Sequence, residues 1–319
     1  MKRTARGLIT SLLLLSLLYP LSARGTSESE PSGSVTPRIA VSIVPQQYVV
    51  DRIAEDLAET VVLVGPGQSP HSYEPTPRQM ASLSQAHAWI TSGTEFEIAL
   101  RPKISSMYSS LTIVDGTKGV TFRSMEEHHH EEEAEDDHHD HHEEEHHHDG
   151  EIDRHTWLGR EPMKIMAQHV ADTLISIDPT HTDIYQRNLH TFHTEIDTLF
   201  DRLTGELAPL AGSTVFVYHP SFGYLLDEFD IHQRAVETGG KEPTARALSN
   251  LILEARDAQP EAIFVQAQFP TQAARTVAET IGAQVLPLDP LAYDWITNIE
   301  SIGETLQRTV MPSPQGGAQ

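Results

Sequence analysis

The chain has 319 residues, 22 Lys plus Arg against 46 Asp plus Glu, a formal net charge of −24 and no cysteine. So acidic a chain argues against nucleic acid as a partner and favours cations. The lack of cysteine removes disulfides, thiolate zinc sites, iron–sulfur clusters, thiol nucleophiles and a lipid-modified N-terminal Cys.

Lys2, Arg3 and Arg6 open the chain, Leu8 to Leu18 is apolar, and Leu21-Ser22-Ala23 offers a small-residue cleavage site. This is the three-part pattern of a secretory signal peptide over 1–23. The apolar run is short for a membrane span, so an uncleaved anchor is the weaker alternative. The expected mature protein lies outside the cytoplasm. Residues 24–37, rich in Ser, Gly, Glu and Pro, read as a flexible tether.

Strands are predicted at Arg38–Val44, Val61–Gly65, Ala88–Ser92 and Leu111–Asp115. They alternate with helices at Tyr48–Leu57, Pro77–Gln85 and Glu95–Met107, which argues for a mostly parallel α/β sheet. The pattern breaks at 126–149, where 10 histidines and 13 acids leave no apolar face to bury, so a solvated surface loop is expected. His142-Glu143-Glu144-Glu145-His146 inside it matches the metalloprotease pattern. A run of His and Glu produces that match by composition, with no apolar back for the helix the motif requires.

Pro162–Ile177 reads as a helix, and Thr182–Leu207 as a longer one. Its apolar residues, from Ile184 and Tyr185 through Leu189, Phe192, Ile196, Leu199, Phe200 and Leu203 to Leu207, recur in steps of three and four along one face. A second series follows, with strands at Thr214–Tyr218, His232–Val236, Ala262–Gln266 and Gln284–Leu288. Helices are predicted at Ser221–Glu228, Thr244–Ala258, Thr271–Gly282 and Trp295–Arg308. The expectation is two α/β lobes, each a mostly parallel sheet flanked by helices, joined by one long rigid helix. The first lobe is 38–178, the linking helix 179–210, the second lobe 211–310 and the tail 311–319.

His71 lies in GQSPHSYEPTP after the second strand, His155 in DRHTWL after the acidic run, and His219 in HPSFGY after the strand TVFVY. Asp289 follows the strand QVLPL. His71, His219 and Asp289 thus follow strand C-terminal ends, where open α/β sheets bind ligands. Three imidazoles and a carboxylate suit a divalent transition metal, zinc best. A histidine after a strand serves equally as a polar loop residue, and an Asp before Pro290 as a turn residue.

The segments GQSPHSYEPTPRQM, DRHTWL, VYHPSFGYL, EPTARALSNLI and VLPLDPL resemble, in that order, the solute-binding proteins of zinc-uptake ABC transporters. The resemblance runs from about Arg38 to Arg308. It implies two lobes on a rigid helix with the metal between them, and His71, His155 and His219 as ligands. Asp289 matches the position where many relatives supply a carboxylate and some leave water. Manganese-binding relatives tend to carry Glu where this chain has His219, so zinc is the implied cargo, with manganese or iron the alternative. It further implies a periplasmic monomer that binds Zn2+, hands it to an ABC permease in the inner membrane and is not an enzyme. A secreted zinc hydrolase is the more distant alternative. Two departures stand out: Arg154 replaces a usual proline, and Pro220-Ser221-Phe222 replaces the usual Asp-Ala-Tyr after the ligand. Relatives often carry a His-rich loop at the position of 126–149, where it would offer weak, shifting divalent sites beside the tight one.

Overall fold

The computed structural model describes residues 36–125, 152–237 and 243–309. The predicted signal peptide 1–23, nearly all of the tether 24–37, the His/acid-rich loop 126–149 and the tail 311–319 lie outside the described residues.

β1 (Arg38–Ile43), β2 (Glu59–Val64), β3 (Ala88–Thr91) and β4 (Thr112–Asp115) form a sheet in the order β2-β1-β3-β4. β5 (Thr214–Val217), β6 (His232–Ala235), β7 (Ala262–Val265) and β8 (Gln284–Pro287) form a second in the order β6-β5-β7-β8. Every pairing within both sheets is parallel. Parallel strands are covered on both faces, which is why RIAVSI and AIFV are apolar runs rather than alternating patterns. In each sheet the chain passes from a central strand to the edge beside it, then crosses back to the other side. That reversal opens a crevice beyond the strand C-termini.

The helices are α1 (Val44–Ala54), α2 (Pro77–Leu83), α3 (Glu95–Met107), α4 (Arg160–Ile177), α5 (Thr182–Leu207), α6 (Gly223–Asp227), α7 (Ala245–Ala258), α8 (Gln272–Ile281) and α9 (Trp295–Arg308). The sequence predicts the first helix from Tyr48, yet α1 starts directly off β1. Pro45 sits in its first turn, where no N–H is needed, and Gln46 Oε1 accepts from the N–H groups of Ser42 and Ile43 at 2.8 and 3.3 Å.

α5 is 26 residues long, or roughly 39 Å at 1.5 Å per residue. Short 3-10 turns flank it at Pro179–His181 and Ala208–Leu210. Its buried face, including Tyr185, Phe192, Phe200 and Leu207, packs on α1 and α4 beside the first sheet and on α9 beside the second. Phe200 stacks on Trp295 of α9 with ring centroids 6.2 Å apart. Gly303 of α9 permits this approach: a Cβ there would lie 2.5 Å from Leu203 Cδ2. One apolar core therefore runs from the first sheet through α5 to the inner side of the second. A smaller core, including Leu251, Ala255, Ile263 and Val277, lies under α7 and α8. Among the described residues no helix is long and apolar enough to cross a membrane.

Candidate metal centre

His71 sits in a 3-10 turn, Pro70–Ser72, in the loop between β2 and α2. Ser69 Oγ caps this turn by accepting from His71 N. His155 precedes a second 3-10 turn, Thr156–Leu158, which leads into α4. His219 lies just beyond β5, and Gln266, just beyond β7, clasps its backbone. Gln266 Oε1 accepts from His219 N at 3.1 Å, and Gln266 Nε2 donates to His219 O at 2.8 Å. Phe269 stacks on the His219 ring at 4.5 Å.

These three histidines, 148 residues apart at the extremes, present their Nε2 atoms to one another. The separations are 3.2 Å for His71–His155, 3.0 Å for His71–His219 and 3.1 Å for His155–His219. Each Nδ1 faces a carboxylate: His71 that of Glu95 at 3.1 Å, His155 that of Asp153 at 2.8 Å, and His219 that of Glu237 at 2.7 Å. An ionised carboxylate only accepts, so each imidazole carries its proton on Nδ1. All three Nε2 lone pairs then converge with no proton among them. That arrangement repels itself unless a cation sits at its centre. Carboxylates behind liganding histidines also fix the tautomer and strengthen the ring as a donor.

The electrostatics agree. Burial opposes ionisation of Glu95, but the hydrogen bond from His71 outweighs it and holds the carboxyl at about 2. Asp153 is likewise held below the usual carboxylate range: burial opposes this, and His155 and Arg123 overcome it. Burial pushes the His219 imidazole down to about 4 against the pull of Glu237, with the neighbouring histidines pushing the same way as burial. Arg123 pairs with Asp153 and Arg154 with Glu95, whereas Glu237 Oε2 is buried with no hydrogen-bond partner. Three carboxylates against two guanidiniums leave a negative surplus suited to a dication.

Asp289 does not belong to this group. Among the described residues, those whose ligand atoms lie within 4.8 Å of one another are His71, His155 and His219. Asp289 is exposed, and its Oδ1 accepts from Leu291 N at 2.9 Å and from Gln268 Nε2 at 3.0 Å. It shapes the turn that places Pro290, whose carbonyl accepts from Trp157 Nε1 at 2.8 Å. Sequence reasoning missed Glu95, Asp153 and Glu237. Only Asp153, two residues before His155, carried a local signal.

Two parallel-sheet lobes on a long helix, with a convergent triad of imidazoles, define a class: the metal-binding, two-lobed α/β proteins of solute-binding type. Residues 39–309 match the family described as zinc-uptake complex component A, periplasmic (ZnuA), and the chain belongs to that family. The chain is similar to the high-affinity zinc uptake system protein ZnuA of Yersinia pestis, 26% identical over 282 residues, covering 86% of this chain and 89% of that protein. The ZnuA of Bacillus subtilis is 25% identical over 283 residues, covering 88% and 85%. Among solved structures, a crystal structure of ZnuA superposes with a TM-score of 0.76 at 32% identity, covering 86% of this chain and 99% of that one. A zinc-bound ZnuA deletion mutant matches with a TM-score of 0.76 at 31% identity, covering 88% and 100%. By its description the family is a periplasmic component of zinc uptake.

Proposed function

We propose that this protein binds one Zn2+ tightly through Nε2 of His71, His155 and His219 and delivers it to an ABC-type permease in the inner membrane. The observation that carries the reading is the convergence of three Nε2 lone pairs, each ring fixed from behind by a carboxylate. Zn–N bonds of roughly 2.0–2.1 Å would set the ion about 1 Å out of the plane of the three nitrogens, leaving a fourth position. Water fills that position, or Asp289 once it releases Leu291 N and Gln268. An all-imidazole set selects zinc over manganese, whose chemistry asks for oxygen.

Transport rather than catalysis fits the same geometry. A zinc hydrolase needs a general base beside the metal-bound water. Here Glu95, Asp153 and Glu237 are each committed to an imidazole. The chain is organised as signal peptide 1–23, tether 24–37, first lobe 38–178, linking helix 179–210, second lobe 211–310 and tail 311–319. It acts as a monomer in the periplasm after cleavage of the signal peptide.

The test is metal analysis with competitive zinc titration on the mature protein, on a version lacking 126–149, and on H71A/H155A/H219A. One tight zinc per chain in the first two and none in the third is the expected result. Tight binding that vanishes with 126–149, or that survives the triple substitution, overturns the assignment. Manganese displacing zinc at equal concentration would overturn the choice of cargo.

A further inference from the structure

Arg123 lies outside the triad, yet it bonds to Asp153 behind His155 and to Asp227 and Tyr224 beyond His219. It follows β4 in the first lobe. Its carbonyl accepts from Asp153 N at 2.9 Å, and Ser124 and Ile152 pair beside it as a single antiparallel bridge. Its guanidinium donates from Nη1 to Asp153 Oδ2 at 2.8 Å and from Nε to Asp227 Oδ2 at 2.8 Å. Its backbone N–H donates to Tyr224 Oη at 3.1 Å, and that hydroxyl donates in turn to Asp153 O at 2.9 Å. Tyr224 and Asp227 belong to α6 of the second lobe, which begins four residues after His219. Asp153 spends its other oxygen on His155, accepting from both N and Nδ1 at 2.9 and 2.8 Å.

The packing shows that this contact is built. Asp153 is fully buried and the Arg123 side chain largely so. The guanidinium lies against Gly223, the first residue of α6. A Cβ at Gly223 would fall 1.8 Å from Arg123 Nη1 and 2.8 Å from Asp153 Oδ2. Any side chain at 223 therefore evicts the guanidinium, and this explains why the position is glycine. Without Arg123, a buried carboxylate oxygen loses its charge partner, a costly state that Asp153 escapes by turning away from His155.

We propose that Arg123 is a positioning residue that couples lobe closure to metal affinity. With α6 seated, Arg123 holds Asp153, and Asp153 holds the His155 ring with Nε2 aimed at the metal. When the lobes part, the bonds from Arg123 to Asp227 and Tyr224 break. The support behind His155 then loosens before any ligand bond is lost, and the closed form retains metal that the open form releases. This inference rests on the reading of His155 as a zinc ligand.

The experiment compares zinc affinity by competition and zinc release by stopped flow in the mature chain and in R123Q, R123K, G223A and D227N. R202Q, which disrupts a surface ion pair of α5 with Glu206 and Glu300, is the control. R123Q should weaken zinc binding about 10–100-fold, the usual cost of losing a partner behind a liganding histidine. G223A should fall in the same range through a different atom. R123K should recover part of the loss, since an ammonium is a point charge without the fork that spans two carboxylates. D227N, which leaves Asp153 paired, should show a smaller loss of affinity that appears as faster release. R202Q should bind as wild type. A purely structural role would lower thermal stability and leave the affinity of the folded protein unchanged.

Wild-type affinity in folded R123Q and G223A overturns the positioning role, and wild-type release from D227N overturns the coupling to closure. If R123Q fails to fold, G223A and D227N decide. Should H155A itself leave zinc binding intact, the functional reading fails. Should H155A abolish binding while the Arg123 and Gly223 variants do not, only this inference fails.

Discussion

His155 and His219 are enclosed, their side chains 5% and 7% exposed, against carboxylates Asp153 and Glu237 that are themselves 0% and 3% exposed. His71 is 25% exposed and its partner Glu95 45%. The two enclosed histidines stand at opposite sides of the crevice, one from each lobe, and their hydrogen bonds lie where water cannot substitute for them. His71 rides on a short capped turn whose carboxylate is open to solvent. The difference separates two shielded ligands, one on each lobe, from a third that stays open to solvent. Enclosure makes each interaction stronger and each loss costlier.

Removing ligands should break the comparison most sharply. Zinc sites of four protein ligands bind with about 10–16 kcal/mol, so each ligand accounts for roughly 2.5–4 kcal/mol, or about 60- to 700-fold in affinity. H155A and H219A should reach that loss, and H71A should fall short of it, because a water can enter from the open side. Competition titration checks the order; H71A as the most damaging of the three would reverse the account.

The carboxylates come next. D153N and E237Q can present an amide N–H to Nδ1 and so favour the wrong tautomer, with an expected loss of about 10–100-fold in zinc affinity. E95Q should cost less than about tenfold, and its effect should shrink with added salt, as for an exposed charge. An E95Q loss equal to that of E237Q, and insensitive to salt, would erase the distinction between the open and enclosed sides.

The pH dependence of the metal-free protein is a milder probe of the same enclosure. His219 is held at about 4, while an unfolded histidine titrates near about 6.5. Between those values the unfolded chain binds the extra proton, so this group makes the folded state lose stability as pH falls from about 6.5 to about 4. An NMR titration of the His219 ring should show its transition near pH 4. A transition near about 6.5 would mean a solvated ring and no enclosed side. Smallest of all should be D289N: with Asp289 engaged in its own turn, zinc affinity should change by less than about twofold to threefold, below about 0.7 kcal/mol. A loss matching H71A would place Asp289 on the metal.

Much of this molecule was legible because its signals are periodic or local. α5 showed in the spacing of Tyr185, Leu189, Phe192 and Ile196, and the buried strands in short apolar runs between turn residues. His71 and His219 drew attention as polar residues just beyond strands, where parallel sheets leave a crevice. The carboxylates behind them were not legible, because folding supplies them from afar: Glu95 lies 24 residues from His71, and Glu237 18 from His219. Nor was Arg123, whose partners span 30 residues to Asp153 and 104 to Asp227. Asp289 shows the converse. Its loop position marked it as a ligand candidate, yet the Asp-Pro-Leu turn uses its carboxylate two residues on, an ordinary habit of aspartate in turns.

The most direct measurement is anomalous diffraction at the zinc edge from crystals of the zinc-loaded mature protein lacking 126–149. One strong peak is expected in the crevice, about 2.0–2.1 Å from Nε2 of His71, His155 and His219 alike. A principal peak coordinated elsewhere, or one that leaves His155 or His219 unbound, would contradict it.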